Sequence, residues 1–329
     1  MTPIILTGLL LVPISAVASV LFARRMRSRS PGQQIRIYGP SSHAAKAGTP
    51  TMGGVIVFAL WIAGIGLLTI WHFPSASTRF VVAVAALCAG VGAADDAISM
   101  RRRRSEGLSG LAKLALTSVI AVGLWFAFRE MLSVPLLVPF SSIVLHLPPA
   151  ASLALTWFVL LSTTNGMNLT DGLDGLATGV AVIVLGGLIL IRPTATTLVL
   201  AVPLIASLLG FLTINAHPAG LFLGDVGSFF LGGAIASIAL INGLAFILPI
   251  LAGVLVLEAG SVILQIGSLR LTGRRIFRMS PFHHHFEQSN GATRDHLLPA
   301  FQWSESQVTV RFWIVAAAFV GLAVLATNV

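Results

Sequence analysis

Ten long apolar runs constrain this chain more than any other feature. They cover residues 4–23, 52–72, 79–98, 108–128, 150–166, 173–191, 196–214, 226–242, 246–268 and 308–328, and each approaches the roughly 20 residues that a helix needs to cross about 30 Å of hydrocarbon. Backbone polar groups find no partners in lipid, so such runs fold as helices and pack together. Of the 329 residues, 56% are hydrophobic and only 9% charged, too little polar surface to cover a water-soluble core of that size. The expected fold class is all-α integral membrane, with ten transmembrane helices in a single polytopic domain, 1–329, and no fixed-period repeat or low-complexity tail. The first run, MTPIILTGLLLVPISAVASV, reads as a retained helix and not a cleaved signal, because Arg24, Arg25, Arg27 and Arg29 follow it instead of preceding it.

Charge orients the bundle. An even number of crossings puts both termini on one face, and the alternate loops then share the cations unequally. Arg24, Arg25, Arg27, Arg29, Arg36 and Lys46 belong to the first loop, Arg101 to Arg104 and Lys113 to the third, and Arg270, Arg274, Arg275, Arg278, Arg294 and Arg311 to the last. The other side keeps only Arg79, Arg129 and Arg192. The positive-inside rule makes the odd loops cytoplasmic and both termini extracytoplasmic. The net charge of +9 is thus a topology signal and an affinity for anionic membrane lipid, not a nucleic-acid footprint. Two β-prone runs around Phe140, Ser141 and Ser142 predict a small extracytoplasmic hairpin. Gly186, Gly187, Gly232 and Gly233 lie inside spans, where close helix packing needs small residues, and the single Cys88 reads as a small buried hydrophobe.

Acidic residues are scarce, eleven in all, yet five gather where the topology predicts one cytoplasmic rim: Asp95, Asp96, Asp171, Asp174 and Asp225. Ionisable groups collected at a membrane boundary are candidates for function. Asp95 and Asp96 end the third run, where the helix dipole disfavours negative charge. No basic residue follows at helical spacing, and adjacent positions point about 100° apart, so the two carboxylates have different tasks. Asp171 and Asp174, in NLTDGLDGLATG, would share a face if the sixth helix began near Thr170. Two readings fit them at this point: helix caps, or recognition of a polar ligand together with Asn165 and Asn168. Asp225, bracketed by Gly224 and Gly227 at the start of the eighth run, is either an N-cap or a cation ligand; sparse carboxylates favour Mg²⁺ over Zn²⁺. In SPFHHHFE, consecutive His283, His284 and His285 suit phosphate donors better than a tetrahedral zinc site, with Arg274, Arg275 and Arg278 nearby. Lys46 and Thr51 stand in HAAKAGTPTMGG, which lacks the order of a Walker loop. Glu258 lies inside the ninth run, where an unpaired acid is costly.

The stretches KAGTPTMGG, the Asp pair, NGMNLTDGLDGLATG, FLGDVGSFFLGG, SPFHHHFE and VRFWIV, in that order, resemble the phospho-N-acetylmuramoyl-pentapeptide transferase family of the polyprenyl-phosphate N-acetylhexosamine-1-phosphate transferase superfamily. The resemblance covers nearly the whole chain, and TPTMGG and the triple His point to the muramoyl branch. It implies a bacterial plasma-membrane protein, usually a homodimer, with a cytoplasmic active-site cleft. The implied reaction moves phospho-MurNAc-pentapeptide from UDP-MurNAc-pentapeptide to undecaprenyl phosphate, giving lipid I and UMP. By position, the resemblance makes Asp225 the Mg²⁺ ligand, Asp95 the base or nucleophile-activating group, and Asp96 its support. Lys46, Thr51, Asn168, Asp171, Asp174 and Phe222 would line the nucleoside region with Asn165 and Asn215 nearby, and His283, His284 and His285 would bracket phosphates or sugar. FLGD stands where the family usually has FMGD, and QSNGATRDHLLPAFQWSESQ is a longer connection than the family's. The rival readings are a UDP-GlcNAc-dependent transferase and a secondary transporter, the latter requiring acids at mid-bilayer and paired halves.

Overall fold

The computed structural model describes residues 1–27, 48–70, 74–102, 107–287 and 295–327. It is built from helices α1 (Thr2–Arg27), α2 (Gly54–Thr69), α3 (Ala76–Arg102), α4 (Gly110–Phe128), α5 (Pro149–Thr170), α6 (Leu176–Ile191), α7 (Ala195–Asn215) and α8 (Gly224–Ile241), then a short α9 (Leu248–Leu251), α10 (Gly253–Thr272), a single turn α11 (His283–Phe286) and α12 (Glu305–Thr327). Seven of these, α1, α3, α4, α7, α8, α10 and α12, are long and apolar enough to cross a membrane, while α2 and α6 are shorter apolar helices. The chain is a multi-pass membrane protein. The expected hairpin is present, with β1 (Leu136–Leu137) antiparallel to β2 (Val144–Leu145).

α8 is the axis of the bundle: every residue from Val226 to Leu240 is buried, and α3, α5 and α2 pack on it. Its sequence, GDVGSFFLGGAIASIALI, shows why, because small residues let neighbouring backbones approach where lipid offers no hydrophobic drive. A β-carbon at Gly232 would lie 2.5 Å from the Thr164 Cα, and one at Gly233 2.9 Å from the sulfur of Cys88, which is buried as expected. Gly187 likewise faces Leu251 and Val320, but Gly186 meets nothing within 4 Å and is no packing contact.

Two expected boundaries move. The ninth run is not one helix: Ala252 leaves helical geometry at φ −100°, ψ 36° between α9 and α10, and Gly253 presses on the Phe319 ring. The sixth helix starts at Leu176 and not near Thr170, because Gly175 at φ +72° turns the chain through the left-handed region first. Asp171 and Asp174 therefore lie in a turn and do not share a helical face.

Candidate active site

The C-terminal ends of α3 and α5 and the N-terminal ends of α4 and α8 meet at one rim. Asp95 and Asp96, both buried, reach it from α3. Asp96 accepts the Asp225 N–H at Oδ1 (3.2 Å) and the Val226 N–H at Oδ2 (3.0 Å), so it caps α8 from another helix. α3 runs on to Arg102, so Asp95 and Asp96 lie before its last turn and not at its end as expected, and the dipole that bears on Asp96 is the favourable one of α8. Gly224, at φ +77°, makes this possible: a β-carbon there would stand 2.7 Å from Asp96 Oδ2 and 2.8 Å from Thr51 Oγ1. Asp95 points elsewhere, as adjacent helical positions should. Its Oδ1 accepts the Leu108 N–H at 2.7 Å and lies 3.1 Å from Lys113 Nζ.

Lys113 completes the centre, and sequence reasoning counted it only as a topology charge. From the first turn of α4 its ammonium donates to Asp225 Oδ2 at 2.5 Å and sits 5.6 Å over the Phe229 ring. The overlooked signal was a lysine inside the apolar run GLAKLALTSV, where a cation is expensive unless partnered. Asn168 donates to Asp225 Oδ1 at 2.9 Å and to Ser228 Oγ at 3.0 Å, tying the end of α5 to the start of α8 directly. Oxygens of Asp95, Asp96 and Asp225 all lie within 4.8 Å of one another. Three carboxyl groups share one ammonium, and a hard divalent cation with oxygen ligands suits that donor set.

Two motifs far apart in sequence join by backbone pairing. Phe222 N–H donates to Pro50 O, while Gly53 and Gly54 N–H donate to Phe222 O and Leu223 O, each at 2.9 Å. Thr51 and Phe222 are placed together beside Gly224 by this clasp. Lys46 lies outside the described residues.

The turn after α5 serves three neighbours. Asp171 N–H closes α5 on Met167 O, Gly172 faces His283, and Asp174 is buried. Asp174 Oδ2 lies 3.0 Å from His217 Nδ1 and accepts the Ala219 N–H at 3.0 Å. The Asp174 N–H donates to Glu305 Oε1 at 2.8 Å, and Glu305 Oε2 is 3.5 Å from His217. This Asp174, His217 and Glu305 group is a second cluster with metal-compatible spacing. His217 and Glu305 were not singled out in the sequence, since each stands alone in an unremarkable loop or helix start. Asn215, also buried, accepts from Thr178 Oγ1 (2.6 Å) and donates to Leu221 O (3.0 Å), bracing the α7–α8 loop. Asn165 donates to Leu161 O in its own helix.

His283, His284 and His285 form the helical turn α11. Glu258, fully buried on α10, is paired with His283, so the acid in the ninth run is not alone. His284 Nδ1 lies 2.8 Å from Glu287 Oε2. His285 Nδ1 accepts the Arg278 N–H at 3.1 Å, and its Nε2 lies 3.2 Å from Pro299 O. Burial pushes the His285 imidazole below its usual value and outweighs the opposing hydrogen bond to Pro299 O, with His296 and Arg278 adding to the lowering. Burial also lowers Arg278, whose guanidinium donates to the carbonyls of His284 and Glu287. Arg275 pairs through its backbone with His296, while Arg274 is exposed.

A family model described as glycosyl transferase family 4 matches residues 78–243 of this chain. Phospho-N-acetylmuramoyl-pentapeptide-transferase signature 1 matches residues 46–58. Among similar proteins, phospho-N-acetylmuramoyl-pentapeptide-transferase of Rubrobacter xylanophilus is 36% identical over 92% of this chain and 91% of its own. The protein of that name in Geobacillus thermodenitrificans is 37% identical over 94% of each. That of Desulforamulus reducens is 41% identical over 88% of this chain and 85% of its own.

Proposed function

This chain belongs to the phospho-N-acetylmuramoyl-pentapeptide transferases of glycosyl transferase family 4, and on that premise we propose that it moves phospho-MurNAc-pentapeptide from UDP-MurNAc-pentapeptide to undecaprenyl phosphate, releasing UMP. The product, lipid I, feeds peptidoglycan synthesis. The observation that carries the reading is the convergence of Asp95, Asp96, Asp225, Lys113 and Asn168, drawn from four helices, on one rim.

Both reaction partners are phosphates, so their mutual repulsion must be reduced before attack. A Mg²⁺ ion, held by Asp225 with Asp95 and Asp96 beside it, supplies charge neutralisation on the donor pyrophosphate when bound. Lys113, already between Asp95 and Asp225, adds a fixed positive charge facing the same anions. Asp95 takes any proton left on the attacking lipid phosphate, its Oδ1 being held by the Leu108 N–H and the Lys113 ammonium. Asp96 acts at a distance, fixing the first turn of α8 and with it Asp225. By the family likeness, Lys46, Thr51, Asn165, Asn168, Asp171, Asp174, Asn215 and Phe222 are assigned to the nucleoside, and His283, His284 and His285 to phosphates or sugar. Direct attack by the lipid phosphate is preferred over a phospho-sugar enzyme, because a phosphate dianion needs placement more than activation; a trapped sugar-phosphate adduct on the protein without acceptor would reverse that preference. Ten spans, a cytoplasmic cleft, extracytoplasmic termini and a homodimer complete the proposal, supported by the cation distribution and the family likeness.

The test is UMP release from UDP-MurNAc-pentapeptide by the purified protein with undecaprenyl phosphate. Release should need a divalent cation, stop on chelation, and fall by about 1,000-fold in Asp225→Asn, the order expected for losing a central electrostatic group. Wild-type protein that is folded but releases no UMP would refute the assignment.

A further inference from the structure

Glu258, to which the transfer chemistry above gives no role, pairs with His283 of the His turn. Both side chains are completely buried, with His283 Nδ1 3.1 Å from Glu258 Oε2 and the His283 N–H donating to the same oxygen at 3.4 Å. Neither ring nitrogen of His283 nor Oε1 of Glu258 makes a well-formed hydrogen bond among the described residues. A buried carboxylate and imidazole so poorly satisfied are a weak source of stability, and a well-packed apolar pair would serve at least as well. Their geometry suits another role. On the far side, the same imidazole presses on Gly172: a β-carbon there would lie 2.2 Å from Nε2 and 2.6 Å from Cε1. Glu258 on α10, the ring on α11 and the Asp171–Gly175 turn thus stand in line, without free space between ring and turn. A shift of the ring at its Glu258 edge must move the turn or open the contact, because close-packed interiors transmit displacement.

We infer that Glu258 is a positioning residue for the nucleotide donor: its carboxylate sets the His283 ring and, through it, the Asp171–Gly175 turn that carries Asp171 and Asp174. The inference rests on the function proposed above and concerns binding of the donor, not the transfer step. Losing the carboxylate should therefore weaken donor binding while leaving the centre at Asp225 intact.

Donor KM and kcat, read from UMP release by the full-length protein, would be compared for wild type, Glu258→Gln, Glu258→Asp, Gly172→Ala and the Glu258→Gln/Gly172→Ala double variant, each first checked to be folded at the assay temperature. Glu258→Gln should raise donor KM about tenfold with kcat within about twofold, and Glu258→Asp should move KM the same way by less. The two perturbations act on one ring, so the double variant should be no worse than the poorer single one. Donor KM unchanged in both Glu258 variants, a loss confined to kcat, or multiplying KM effects in the double variant would each overturn the inference. Should Glu258→Gln not fold, Glu258→Asp takes its place in the same cycle. A wild-type protein without UMP release would instead defeat the functional reading, so the two failures are distinct.

Discussion

Two clusters at the same rim are built from similar side chains and differ in how their lone pairs are occupied. At the Asp95, Asp96 and Asp225 centre, Asp225 stays a quarter exposed and its partners are the movable ends of Lys113 and Asn168. In the Asp174, His217 and Glu305 cluster, both carboxylates are buried and accept backbone N–H groups of Ala219 and Asp174 itself. In the function proposed above, the first leaves Asp225 open to a cation on the side away from Lys113, which stays in place. The second latches the α5–α6 turn, the α7–α8 loop and the start of α12, and extends through Gly172 to the His turn. Metal-compatible spacing alone does not separate the proposed reacting centre from a latch, and neither do Asp95 and Asp96, which are buried on backbone N–H groups; the difference is Asp225, partly exposed and held by side chains.

The contrast breaks most sharply at Lys113. Lys113→Met should cut kcat by about 100-fold, the scale of losing one electrostatic group aimed at developing charge, and should raise the divalent concentration needed for half-maximal rate. A metal titration of UMP release would show both, and a rate close to wild type would erase the distinction from the latch. Next in size is Glu305→Ala, which strands the buried Asp174 N–H and should lower unfolding stability by about 2 kcal/mol. Its kcat should stay within about threefold of wild type while donor KM rises; a collapse of kcat in a folded variant would make the latch part of the chemistry. The smallest effect concerns His285, whose folded-state value lies below its unfolded value. Such a base contributes stability above the unfolded value, about 6.5, and loses it as pH falls through the folded one. Between about pH 7.5 and pH 5, wild-type thermal stability should therefore decline relative to His285→Gln by under about 1 kcal/mol.

Legibility followed residue chemistry. The apolar runs mark nearly every long helix, because hydrocarbon forces backbone bonding inside each segment. The aspartates at run ends were visible because a charge in that company is expensive. Lys113 was visible too, yet its partners on α3 and α8 were not, and it passed for a loop cation. His217 and Glu305 gave no signal, as each becomes notable only beside Asp174. The break at Ala252 escaped notice because apolar composition runs straight through it, and the late start of α6 depended on one glycine's backbone angle.

The order of residues by itself determined that this chain lives in a membrane, roughly where most of its helices run and that its aspartates at run ends need company, since hydropathy and charge cost are properties of the segment. Only the tertiary structure decided that Asp96 caps a helix through Asp225, 129 positions away, that Lys113 bridges Asp95 and Asp225, and that Glu258 meets His283. Those pairings depend on how close α3, α4, α8 and α10 can approach, and helix approach is set by packing between segments that no local pattern records.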